Sequence, residues 1–292
     1  MGLATAWLAA GGSHAAAPDV DPVLARGHEV YAEHCEECHG SDGHGDGAKS
    51  ERLRIHPRDF TRGVFKCRST PSGQPPTDED LARTIAQGMA GTAMPRHKDL
   101  LAAADIQAVA RYVRSLATRG SAASPPAPIA LPDPPPPSAR SVVDGQQIYR
   151  LLECWKCHGD LGLGDGPSAA KLQDTQGRPI KPGRFAATGD FKCGGTERDI
   201  YRTIHTGLDG SPMPSFTLAF LYANQLPETI VAVKERFGAE AADALVAYLR
   251  DEPDAATIAR LDEAGRSLLI SRRSWALVSY IRSLVPPLSR TD

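Results

Sequence analysis

Two five-residue segments, Cys35-Glu36-Glu37-Cys38-His39 and Cys154-Trp155-Lys156-Cys157-His158, each carry a pair of thiols three positions apart with an imidazole directly after them. On one helical turn such thiols both reach the vinyl groups along one edge of a porphyrin, and the next residue then lies beneath the iron. The pattern predicts two covalently attached haem c groups. Cys35, Cys38, Cys154 and Cys157 would be the attachment points, and His39 and His158 the proximal iron ligands. A sixth ligand must come from the opposite face, and with only four methionines in the chain the search is short. Met213, in Ser211-Pro212-Met213-Pro214, is the single candidate in the second half, and its counterpart is Met94 in Thr92-Ala93-Met94-Pro95. Met89 aligns with Leu208 and reads as core packing. His97 and His205 lie near these methionines but not at matching places, so they rank below them as ligands. Thioether ligation favours the reduced iron and raises its potential relative to two histidines.

Other chemistries of paired cysteines fit less well. Structural zinc wants its two pairs close in sequence, whereas 115 residues and a proline-rich stretch separate Cys38 from Cys154. A thioredoxin-like pair wants a βαβ setting, of which there is no sign. A proximal imidazole commonly donates its second N–H to a fixed acceptor, and the carbonyls of Pro57 and Pro182, each shortly before a phenylalanine, are placed for that. Arg58, Lys66, Arg184 and Lys192 are candidates to pair with haem propionates, with solvated surface cations as the default. Cys67 and Cys193 each follow Phe-Lys outside the CxxCH segments. Buried packing, a disulfide joining the two halves, and thiolate ligation of iron all remain open for them, in that order.

The elements that must position these groups emerge from an internal repeat. The CxxCH segment with its following glycine-rich stretch recurs at an offset of 119, as does Thr77 to Pro95 against Thr196 to Pro214. Phe65-Lys66-Cys67 recurs as Phe191-Lys192-Cys193. Arg111 to Leu116 recurs as Ser279 to Leu284, where the offset has grown to 168, so the second copy carries 49 extra residues. Each copy reads as helical with long irregular loops and no persuasive strand. An opening helix begins with Asp21 as N-cap and Pro22 in the first turn. A middle helix starts at the capping boxes Thr77-Asp78-Glu79-Asp80 and Thr196-Glu197-Arg198-Asp199 and stops at Gly88 or Gly207. A closing helix spans about Asp105 to Ala117, with Ile106, Val109, Ala110, Val113 and Leu116 on one face. Gly27 and Gly145 are expected to let the opening helices cross closely over Tyr112 and Tyr280. The extra residues, about 217–272, predict three short helices over Glu228–Phe237, Ala241–Arg250 and Ala256–Ile270.

These elements predict an all-α chain of two tandem domains: residues 21–120, a linker over 121–140 and residues 141–292. The linker contains eight prolines, cannot be helical and reads as a passive polyproline tether reaching about 60 Å at most. Charge and composition exclude several roles. A net charge of -2, with 33 Lys and Arg against 35 Asp and Glu, leaves no broad basic surface for nucleic acid. No apolar run reaches the roughly 18 residues of a membrane span. Residues 1–20, with an apolar Leu3–Ala10 and a small-residue end, read as the remnant of an export signal or, failing that, a disordered tail. Export, to a periplasm or its equivalent, suits the cysteine usage.

The order CxxCH, glycine-rich loop, capped helix, Met-Pro and closing amphipathic helix resembles class I bacterial cytochrome c, over residues 22–116 and 141–216 and again over 274–284. The segment from Arg58 to Leu81 is similar to cytochrome c domains of respiratory electron-transfer chains. The resemblance implies an all-α haem-wrapping domain used twice, with His and Met ligation at the positions named. The expected function is electron transfer with redox partner proteins, as a carrier or as a subunit of a respiratory chain, a membrane respiratory complex being one candidate partner. Two alternatives stand beside it: a dihaem redox enzyme of thiosulfate dehydrogenase or peroxidase type, and a docking subunit of a membrane complex. The 49-residue insert departs from the family pattern and leaves open how exposed the second haem edge is.

Overall fold

The computed structural model describes residues 21–117, 124–189, 191–222 and 227–286. Residues 1–20, on which the export-signal expectation rests, lie outside them. In the first repeat Asp21 accepts a hydrogen bond from the Val23 amide and starts α1, Pro22–His34, with proline in its first turn. A single helical turn follows, α2, Glu36–His39. The capping box at Thr77 and Asp80 forms in full and opens α3, Asp78–Gln87, which Gly88 ends. The closing helix α4 spans Ala103–Ala117. The core lies where α1, α3 and α4 meet, with Val30, Tyr31, Leu81, Ile85, Val109, Val113 and Leu116 all buried.

The second repeat follows the same order with α5, Ala139–Leu151, α6, Trp155–His158, a short α7, Phe185–Thr188, and α8, Glu197–Thr206, again opened by a complete capping box. Among the described residues there is no strand, only one isolated bridge between Gln173 and Pro179. Helix α5 begins two residues inside the stretch read as linker, because Ser138 and Ser141 cap each other and provide a start as soon as the prolines end. The described residues before it, from 124 on, are not a loose tether. Ile129 donates to the Ser69 carbonyl of the first repeat, while Arg198 of the second pairs with Asp133 and with the Leu131 carbonyl.

The helix crossings expected at the paired glycines are present. A Cβ on Gly27 would lie 2.2 Å from the Ala108 carbonyl oxygen and 2.8 Å from the Tyr112 Cβ; on Gly145 the corresponding distances to Ala276 and Tyr280 are 1.9 and 2.8 Å. Only glycine lets the backbones approach this closely. Gly27 and Gly145 differ by 118 rather than 119, so the second copy has one extra residue before its CxxCH. Glu153 takes it up in a left-handed conformation, φ 56°, between α5 and Cys154.

The insert forms α9, Ala219–Tyr222, α10, Pro227–Phe237, α11, Ala239–Asp251, and α12, Ala255–Arg260, before α13, Glu263–Leu284. The third predicted helix is thus split. Leu261 is extended, and Asp262 caps a new helix by accepting from the Gly265 amide. That helix runs without interruption into the closing helix, so one 22-residue rod serves both the insert and the domain core. Val233 and Leu245 of the insert are fully buried in the same cluster as Trp275, Leu277 and Tyr280. Arg273 is buried against Glu252 and also donates to the Phe220 carbonyl, which ties the rod to two insert segments.

Candidate functional site

Each CxxCH closes one helical turn: the His39 amide donates to the Cys35 carbonyl at 2.9 Å, and His158 does the same to Cys154 at 2.9 Å. Both cysteines and the histidine of each motif thereby share the wall of one cleft. The glycine-rich loop folds back over the turn, with Gly45 donating to the His39 carbonyl and Gly47 to that of Cys38, and Gly164 and Gly166 repeating both bonds in the second copy. A Cβ on Gly47 would sit 2.5 Å from two carbonyl oxygens, those of Glu36 and Glu37, so the approach requires glycine. The buried phenols of Tyr31 and Tyr149 donate to the carbonyls of Gly40 and Gly159 at 2.7 and 2.6 Å, fastening the end of each turn to its opening helix. Burial raises both phenols and keeps them protonated donors.

The Nδ1 of His39 lies 3.2 Å from the Arg58 carbonyl, and that of His158 lies 3.2 Å from the Gly183 carbonyl. The acceptor is therefore one residue beyond Pro57 and Pro182, the positions expected from the sequence. The Pro57 oxygen lies nearer the glycine-rich loop, 2.7 Å from where a Gly45 Cβ would be, and the Arg58 oxygen is the one within reach of the histidine. A bond at Nδ1 fixes the tautomer and leaves Nε2 free as the ligating nitrogen. Burial lowers the pKa of both imidazoles, favouring the neutral form that binds iron. Phe60 stacks on His39 with ring centres 4.4 Å apart, and Phe185 lies 5.3 Å from His158. Burial pushes the thiols of Cys35 and Cys154 up to about 12.

Met94 and Met213 each line the same cleft as their CxxCH partners. The loops carrying them close on themselves: the Met89 amide donates to the Met94 carbonyl, and Leu208 does the same to Met213. Gly88 and Gly207 are the pivots, each so close to the Pro95 or Pro214 backbone that a Cβ would be 2.6 to 2.7 Å from it. Met89 also lines the first cleft, as does His97, whose Nδ1 is 3.2 Å from the Ile85 carbonyl. His205 has both ring nitrogens engaged, by Thr217 and Ser274, and does not line the second cleft.

The walls are largely apolar: Ile55, Phe60, Phe65, Leu81, Ile85 and Val113 in the first cleft, and Leu172, Ile180, Phe185, Ile200, Ile204 and Ile281 in the second. Including their open mouths, the clefts enclose about 1190 and 1420 Å³. Apolar walls of this kind suit a planar macrocycle whose surface is mostly hydrocarbon. The donor set fits haem as well: two sulfurs at one edge, a neutral imidazole on one wall and a thioether in the same cleft. Among the described residues, none of 217–272 lines the second cleft. Ile55, Lys66 and Gly91 of the first repeat do, so the neighbouring repeat, not the insert, covers that edge.

Cys67 and Cys193 form a disulfide, with a Cα–Cα distance of 5.2 Å. Of the three readings open to them, the second is the one the structure takes, and thiolate ligation falls with it. Around this bond each repeat extends a loop onto the other. The offset between copies rises from 119 at the CxxCH segments to 126 at Phe65 and Phe191 and returns to 119 at Thr77 and Thr196. Each copy therefore has a seven-residue insertion the other lacks. In the first repeat the extra residues lie between Cys67 and Thr77, where the buried Arg68 donates to the Thr206 carbonyl and to Asp209, and where Ser72 and the Gly73 amide also bond Asp209. In the second they lie between His158 and Phe191, in the segment whose Asp174, Gln176 and Arg178 line a small space together with His56, Arg58 and Asp59 of the first repeat. Arg68 and Asp209 have no sequence signature, although the unequal offsets mark the segments in which they or their partners lie.

Residues 22–113 match the family model for cytochrome c oxidase, cbb3-type, subunit III, and residues 142–252 match that for cytochrome c. No curated protein matches the chain. Among solved structures, a chain of the reducing HAO-like protein complex of Kuenenia stuttgartiensis is 34% identical, over 89% of this chain and 96% of that one, with a TM-score of 0.68.

Proposed function

This chain belongs to the c-type cytochromes, with two cytochrome c domains in tandem and two covalently bound haems that serve electron transfer, and we propose that it passes single electrons between these haems across a shared wall and on to a redox partner protein. The observation that carries the proposal is that Ile55 and Lys66 line both clefts. Nothing but side chains need separate the two haems. In this reading Cys35, Cys38, Cys154 and Cys157 carry the thioether bonds, His39 and His158 bind iron through Nε2, and Met94 and Met213 supply the sixth ligands. Haem supplies the one-electron chemistry. The chain would hold the macrocycle between the apolar walls and fix the imidazole tautomer through the carbonyls of Arg58 and Gly183.

The solved relative is a chain of a protein complex, which supports a role as subunit or dedicated donor of a larger redox assembly. Among the described residues no helix is long and apolar enough to cross a membrane. Attachment of haem at CxxCH supports an exported, periplasmic location. Pairing of Cys67 with Cys193 supports simple transfer over catalysis, since neither sulfur is then left to ligate an iron.

A redox titration of the holoprotein with ligand-sensitive spectra of both haems tests the reading. Two six-coordinate His/Met signatures are expected. One high-spin or thiolate-ligated haem would overturn it in favour of a dihaem enzyme.

A further inference from the structure

Between the two clefts lies a small polar cavity lined by His56, Pro57, Arg58 and Asp59 of the first repeat and by Asp174, Gln176 and Arg178 of the second, with Ile55, Lys66, Pro179 and Ile180 completing it. Ile55 and Lys66 line all three spaces: the first cleft, the second cleft and this junction. Lys66 has no hydrogen bond or ion pair among the described residues. Its surroundings are hostile to its charge. Burial first, then Arg58 and Lys192, push the ammonium down to about 8, against a single opposing contribution from Asp174. Arg58 is likewise lowered, chiefly by burial. His56, which lines the first cleft and the junction, has a buried Nδ1 without a partner.

Three cations, Arg58, Lys66 and Arg178, thus meet two carboxylates at the junction. One of these, Asp59, already accepts from the Thr61 amide and hydroxyl. A partly buried, unpaired ammonium is costly unless an anion arrives to meet it. The molecule's own anions of the right kind are the carboxylates of the two macrocycles, which cannot be buried in the apolar part of a cleft and must leave through a polar edge. This polar space adjoins both clefts, sharing Ile55 and Lys66 with each.

We propose that Lys66 is a shared positioning residue: its ammonium, flanked by Arg58 and His56, receives haem propionate from both clefts and so sets the potentials of the two haems together. The assignment rests on the two-haem reading and adds to it where the rings' carboxylates go and which single charge both irons feel. It also gives the second cleft's borrowed wall a purpose, because the cation that completes the second site belongs to the first repeat.

The test is an equilibrium redox titration of the holoprotein with Lys66→Gln and Lys66→Met, with Lys66→Arg as the charge-preserving control and haem content counted in every sample. A cation near an iron disfavours the ferric state. Its removal should therefore lower both midpoint potentials in the neutral variants, while Lys66→Arg keeps both close to those of the parent. Movement of one midpoint, or of neither, overturns the proposal. If both neutral variants fail to carry two haems while Lys66→Arg carries them, the need for a cation stands; if Lys66→Arg fails as well, Lys66 is a packing residue and the proposal is overturned. A parent protein with fewer than two haems would instead sink the reading on which the assignment rests.

Discussion

The sulfurs of Cys67 and Cys193 are bonded to each other while Cys67 lines the first cleft and Cys193 the second. The disulfide thus lies within the partition between the two sites, next in sequence to Lys66 on one side and Lys192 on the other. It closes a loop of 126 residues, and its surroundings, with Arg68 buried against Thr206 and Asp209, hold the repeats in one fixed relation.

Removal of this bond by Cys67→Ser with Cys193→Ser should destabilise the chain by about 2 to 5 kcal/mol, since long closed loops constrain the unfolded state most. Chemical denaturation of the holoprotein measures it. Haem content should stay at two per chain, because neither sulfur carries a macrocycle; loss of a haem would show that the pair has a different role.

Met94→Ala and Met213→Ala should each abolish the long-wavelength methionine-to-ferric-iron band of one haem and leave the other intact. The midpoint of the altered haem should fall, as the thioether favours reduced iron. Absorption spectra with a resolved redox titration read both effects. An unchanged spectrum in either variant would reassign the sixth ligand, with His97 next in line for the first cleft.

Gly27→Ala and Gly145→Ala should each cost about 1 to 3 kcal/mol or more. The added methyl would lie 2.2 or 1.9 Å from a carbonyl oxygen of the opposing helix, and backbone rather than a flexible side chain must give way. Thermal or denaturant unfolding would show this, and a substitution without effect at either site would mean that the helices cross elsewhere.

Stability should also depend on pH through His205. Burial lowers its pKa from 6.5 to about 4, with both ring nitrogens held by Thr217 and Ser274. Between those two pH values the unfolded chain binds a proton that the folded chain does not, so stability is complete above about 6.5 and declines as pH falls toward 4. The loss attributable to this group is about 3 kcal/mol at 1.36 kcal/mol per unit. Comparing denaturation midpoints of the parent and His205→Gln at pH 7 and pH 4.5 checks it: the parent should lose more than the variant.

The features legible in the sequence share one property, that their causes lie within a few residues. A CxxCH turn, an Asp21 or Thr77 cap, a Gly88 stop and the periodic face of α4 depend on neighbours along the chain, and the Gly27 and Gly145 crossings were visible because the repeat shows the same position twice. The histidine acceptor slipped from Pro57 to Arg58 because a single peptide rotation decides which carbonyl faces the ring, and the sequence carries no mark of it. The long α13 was read as two elements because its first half belongs to the insert and its second to the repeat, a division of ancestry that the backbone ignores.

By itself, the sequence determined the chemistry: two CxxCH segments in a duplicated order that a pair of covalent haems explains, on helices whose starts and stops are written locally. Tertiary structure decided how the two copies face each other. The Cys67–Cys193 bond, the Arg68–Asp209 contact and the place of Lys66 in the walls of both clefts join residues more than a hundred positions apart. Such contacts follow from which surfaces bury each other when the whole chain has closed, and no span of sequence short enough to read as a motif contains both partners.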